Sequence, residues 1–234
     1  MMKAHAALCL GFMLLAGCGE KPDIQKEDAL LHQIYEKGSR NAEGPALAST
    51  AGRAMRKGDD LILALGNGQK VSFHSNCPPD SGSSCDGYAL IAYLPSVHLF
   101  VVLEYFYEDA EYWLINDQTG RKTNIRSVPI FSPDRERFLV QDDDMINDHP
   151  NNLEIWRRVD DGAVLEWAHP YTLIDQEIPG FKGLYHTDAD WHEADRIALN
   201  FSADYGATKW LGSITREKGG WHVSGNWPKE PNPI

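Results

Sequence analysis

Three histidines, one run of acids and one pair of cysteines are the side chains from which a reaction could be built. His186 and His192 flank Asp188 and Asp190, four groups able to ligate a metal ion, with His169 upstream. A solvated polar loop is the plainer reading of the same residues. His192-Glu193 is not followed by a second histidine at the zinc-protease spacing. Asp142-Asp143-Asp144 with Asn147-Asp148 offers oxygen ligands at alternate positions, as a calcium loop does. It lacks the central Gly and terminal Glu of the helix-loop-helix calcium loop, and a charged hairpin tip explains it as well. The chain has no Gly-x-Ser-x-Gly elbow and no Gly-Lys-Ser/Thr phosphate loop. Its 34 acids permit so many carboxylate pairs that no one pair points to glycoside hydrolysis. No catalytic residue, metal ligand or cofactor is therefore assigned.

Cys77 and Cys85 enclose Pro78-Pro79-Asp80-Ser81-Gly82-Ser83-Ser84, a segment of turn formers that cannot fold alone. A disulfide closing this loop would contribute roughly 2–3 kcal/mol in the chain-entropy model. The redox alternative wants Cys-x-x-Cys, which is absent, and a metal site needs more thiols.

The elements that must carry these residues are mostly strands. Leu61–Leu65, Gly66-Asn67-Gly68 and Val71–Phe73 read as a hairpin. Further strand-like runs are Tyr88–Leu94, Val97–Phe106, Tyr112–Ile115, Arg137–Gln141, Leu153–Arg158, Val164–Ala168, Arg196–Phe201, Lys209–Ile214 and Trp221–Val223. No run after residue 60 keeps a helical period, so the expectation is an all-β body with antiparallel hairpins. Ahead of it, Asp23 can cap and Gly38 can end a helix bearing Ile24, Leu30, Leu31, Ile34 and Tyr35; a second short helix fits within 42–58.

A weak repeat runs through the strands. Trp113, Trp156 and Trp210 lie 43 and 54 residues apart, and each opens a strand closed by a polar, Gly-ended turn. Asp134-Arg135 and Asp195-Arg196 introduce strands ahead of two of them. The segment Pro129–Asp134, then Arg137–Val140, then Leu153–Trp156 with its Asp160-Asp161-Gly162 turn resembles one blade of a WD-type β-propeller. That resemblance implies a small or incomplete propeller-like domain; a β-sandwich is the alternative. All seven tryptophans lie between 113 and 227, and most should pack between sheets.

The N-terminus reads as an address. Lys3 precedes an apolar run, Ala6 to Leu15, too short to span a bilayer and suited to a signal peptide. It ends in Leu15-Ala16-Gly17-Cys18, which resembles the lipobox of bacterial lipoproteins. The resemblance implies cleavage before Cys18, diacylglycerol on its sulfur and an acylated N-terminus. With Gly19 next, it also implies the periplasmic face of the outer membrane. An oxidising compartment agrees with a Cys77–Cys85 bridge. The expected organisation is a signal peptide over 1–17, an anchor and tether over 18–58, and the β domain over 59–234.

Composition narrows the partners. Removing 1–17 takes away Lys3 and leaves 217 residues with 21 basic against 34 acidic side chains, a formal charge of -13. Such a chain is a poor nucleic-acid binder. The expected role is a non-catalytic lipoprotein held on the membrane by the lipid on Cys18, presenting a β surface to a protein or an envelope polymer. An immunity protein or inhibitor of a cell-wall-degrading enzyme is a special case, and a metal- or carboxylate-dependent hydrolase the remaining alternative. Open sheet edges would also allow a homodimer.

Overall fold

The computed structural model describes residues 22–37, 42–76, 85–106, 109–141, 151–170, 185–203 and 208–225. Two helices come first, α1 (Ile24–Lys37) and α2 (Glu43–Ser49). Three strands follow, β1 (Ala54–Lys57), β2 (Asp60–Ala64) and β3 (Lys70–His74), forming one antiparallel sheet in chain order. The second sheet is β4 (Gly87–Leu94), β5 (Leu99–Phe106), β6 (Asp109–Asn116) and β7 (Lys122–Ile125). The third is β8 (Ile130–Phe131), β9 (Arg137–Gln141), β10 (Asn151–Val159) and β11 (Gly162–Pro170). The fourth is β12 (Tyr185–Glu193), β13 (Arg196–Ala203), β14 (Thr208–Glu217) and β15 (Gly220–Gly225). The body is all-β behind a short helical segment. Each four-stranded sheet is an up-and-down meander, the connectivity a propeller blade has.

The sequence repeat maps onto this order. Trp113, Trp156 and Trp210 stand on β6, β10 and β14, the third strand of each four-stranded sheet. Each polar, Gly-ended turn leads from the third strand to the fourth. Asp134-Arg135 and Asp195-Arg196 sit where the second strand begins.

Three cores lie between the four sheets. Leu61, Leu63 and Phe73 of the first sheet meet Leu90, Phe100 and Val102 of the second, with Ala46 of α2. The opposite face of the second sheet, with Ile91, Val101 and Leu114, packs on Phe138 and Val140 of the third, together with Leu31 and Ile34 of α1. Leu139 and Ile155 then meet Ile197, Leu199 and Ile214 of the fourth. The middle sheets are thus covered on both faces, and Leu99–Leu103 reads as an unbroken apolar run because neither face of β5 is wet. Phe138 is fully buried and stacks on Trp156 at 6.1 Å.

The Gly66-Asn67-Gly68 turn forms as its residues dictate. Gly68 takes φ +82°, and the Asn67 carboxamide accepts the Gln69 N–H at 2.9 Å. The helical segment is docked: Leu31 and Ile34 are buried, and Asp23 caps α1 by accepting the Lys26 N–H at 3.2 Å. The first sheet begins at Ala54, ahead of the expected domain start at 59. The stretch from His186 to His192, read from sequence as a polar loop, lies in β12. Backbone pairing with β13, including Asp188↔Asn200 and Asp190↔Ala198, makes it a strand despite its polar composition.

Candidate ligand-binding cavity

A cavity of about 1100 Å³ lies between α1 and the first strands of the third and fourth sheets. The periodicity of α1 supplies one wall. Glu27, Leu31 and Ile34 form the buried stripe, which turns Ile24, Asp28, His32 and Tyr35 toward the cavity. Ile130 and Phe131 of β8 with Pro133 of the following turn form the second wall. Ala189, Asp190 and Trp191 of β12, with Asn200 of β13, form the third.

The walls are fixed by buried polar contacts. The Arg135 guanidinium donates to the Glu27 carboxylate at 3.4 Å and to the Ile24 carbonyl at 3.3 Å, and lies 2.7 Å from Asp28 Oδ1. Glu27 also accepts the Ser96 N–H at 3.0 Å and the Ser96 hydroxyl. One buried acid thereby ties α1 to the β4–β5 turn and the β8–β9 turn together. Arg135 takes φ +60° and rests over the Phe131 ring at 4.9 Å. On the other side, the buried Gln141 side chain pairs with the Ala189 backbone, donating to its carbonyl at 2.6 Å and accepting its N–H at 3.0 Å. A carboxamide here stands in for one rung of a β-ladder between the third and fourth sheets. The Trp191 indole donates to the Ile130 carbonyl at 2.8 Å and meets Trp221 edge-on at 6.0 Å.

Electrostatically the cavity is acidic. Asp28 and Asp190 line it, and neither Lys nor Arg is among the described residues that do. Burial pushes the Asp28 carboxyl above its ordinary value; the Arg135 charge and hydrogen bond pull it down, and the Asp190 charge adds to the rise. Asp190 is exposed, and its Oδ1 accepts the Trp191 N–H at 2.8 Å. Among the described residues it has no cationic partner.

Two further carboxylate clusters hold sheets together. Asp117, fully buried, accepts from Arg53 at 2.7 Å, Tyr93 at 2.9 Å and Gln118 at 2.6 Å, with His98 Nδ1 at 3.3 Å. Glu166 on β11 collects Arg137 at 2.8 Å, Arg157 at 3.2 Å, Arg216 at 3.7 Å and the Trp221 indole at 3.1 Å. In each, part of the set comes from the acid's own sheet and part from its neighbour: Arg53 precedes β1 of the first sheet, and Arg216 and Trp221 stand on β14 and β15 of the fourth. Each joins one sheet to the next across a packed interface.

The structure separates the sequence candidates. Cys18, Cys77 and the acids Asp142–Asp148 lie outside the described residues. Cys85 is disulfide-bonded, and the Asn76↔Asp86 bridge pins the two chain segments from which its loop departs. His169 stands on β11 and His186 and His192 on β12. Among the described residues no three His, Cys, Asp or Glu side chains gather as a metal site, and no helix is long and apolar enough to cross a membrane. Of the acids beside those histidines, Asp190 reaches the cavity. Sequence reading did not single out Asp28, His32 or Asn200. The only signal was the spacing of Asp28 and His32 with Ile24 and Tyr35, already part of the helix pattern.

The chain matches no family model and no curated protein. The functional reading therefore rests on the residues and their geometry.

Proposed function

We propose that the chain is an envelope-anchored, non-catalytic binding lipoprotein. It is cleaved before Cys18, held on the periplasmic face of the outer membrane by the lipid, and presents its β body and cavity to a protein or cell-wall partner. The observation that carries the reading is the double role of α1. This helix begins at Ile24, six residues after Cys18, with residues 19–23 between. It is bolted to the second and third sheets through Glu27 and supplies one wall of the cavity. Six backbone steps reach at most about 20 Å, so a lipid on Cys18 would hold the Ile24 end of the cavity close to the membrane surface. Apolar and aromatic walls with a few fixed polar groups suit binding.

The test places a photo-crosslinking amino acid at Ile24, which is 44% exposed, in the native envelope. The reading expects a discrete adduct that disappears in the Cys18→Ser variant. Absence of any adduct, or an identical adduct from the Cys18→Ser chain, would overturn it.

A further inference from the structure

We infer that the cavity between α1, β8 and β12 receives an organic cation, an ammonium group on an apolar stem, seated against Asp190 with its stem along Trp191, Phe131 and Ile130. The inference rests on the binding reading and names the ligand chemistry.

Three observations lead to it. The cavity, at about 1100 Å³, has the size to enclose most of a drug-sized ligand. Its walls include the aromatic side chains Tyr35, Phe131 and Trp191, and aromatic rings attract cations. Arg135 already demonstrates this locally, with its guanidinium over the Phe131 ring and against Asp28. Asp28 is thus supplied with a cation by the protein itself. Asp190, across the cavity on β12, has none among the described residues. An anionic ligand would meet the Asp190 carboxylate, with no lysine or arginine among the described lining residues to receive it. A neutral apolar ligand would leave Asp190 without a counter-charge. An ammonium on an apolar stem answers both the charge and the walls.

Burial is the main cause that pushes the Asp28 carboxyl up, and the Asp190 charge adds a smaller push in the same direction.

The test uses the full chain, purified in detergent, and three probes of one shape: phenethylamine, 2-phenylethanol and 3-phenylpropionate. Binding is read by calorimetry and by tryptophan fluorescence at millimolar probe concentration. The amine is expected to bind about tenfold more tightly than the alcohol, and the carboxylate not to bind. In Asp190→Asn, an exposed change whose thermal melting should match the parent's, the amine should fall to the level of the alcohol, which itself should stay unchanged. Equal binding of amine and carboxylate, amine affinity indifferent to Asp190→Asn, or no amine binding at all would overturn the inference. A second arm uses acetyl-Leu-Lys-Leu-amide. Tighter binding than phenethylamine assigns the ammonium to a protein side chain, and weaker binding to a free amine. Lipidation of Cys18 plays no part in these readouts, so failure of the anchor and failure of the ligand class are told apart.

Discussion

Glu27 and Arg135 are 108 residues apart in the chain and meet at 3.4 Å, each with 8% of its side chain exposed. Through this pair the first helix is committed to the β8–β9 turn, and through the Ser96 contacts of Glu27 to the β4–β5 turn as well. The N-terminal helix is therefore docked on the sheets through one buried side chain.

Removing one member of a buried pair leaves the other charge without its partner. Arg135→Ala should destabilise the fold by about 3–5 kcal/mol in urea unfolding. The Glu27→Ala, Arg135→Ala double variant should lose less than the sum of the single changes, because its second truncation removes the stranded charge. Additive losses would mean that the two side chains act independently.

Gln141 carries a second long-range tie. Gln141→Leu keeps the bulk of the side chain and removes both partners of the Ala189 backbone groups. Leaving a buried donor or acceptor unsatisfied costs about 1–3 kcal/mol. The loss should appear in denaturant unfolding and as faster hydrogen exchange at the Ala189 amide. Unchanged exchange there would show that the carboxamide does not hold the third and fourth sheets together.

Asp117 predicts an acid-sensitive contribution. Burial raises its carboxyl, but the hydrogen bonds from Arg53, Gln118 and Tyr93 and the Arg53 charge outweigh that and hold it below its ordinary value of 3.8. An acid whose folded value is depressed contributes stability above its unfolded value and loses it as pH falls through the folded one. Stability should therefore decline below about pH 4 in part through this residue. Asp117→Asn, less stable at neutral pH, should show a shallower decline between pH 4 and pH 3 when urea midpoints are compared. Parallel curves for the two proteins would contradict the assignment.

The strands were legible where apolar and branched residues gather. Arg137–Gln141 is a strand with the expected bounds, and Tyr88–Leu94 gains only Gly87. Strands that depend on their neighbours were hidden. The polar β12 buries Ala189 and half-buries Trp191, and its order comes from pairing with β13. β1 buries little beyond Ala54, and β7 little beyond Ile125. The cavity was illegible for a different reason. The stripe on α1 was visible, but its partners Arg135 and Asp190 stand more than a hundred residues away. Local pattern carries the Asp-Arg repeat and says nothing of what Arg135 touches. That Gln141 would be buried also has no local signal, since its partner is backbone.

The account stands most directly on attachment of the body to the envelope through Cys18. Cells expressing the native chain and the Cys18→Ser variant, fed an alkyne fatty acid, give the measurement. The account predicts a labelled band for the native chain that fractionates with the outer membrane, and an unlabelled Cys18→Ser chain that does not. An unlabelled native chain, or a variant that labels and fractionates like the parent, would contradict it.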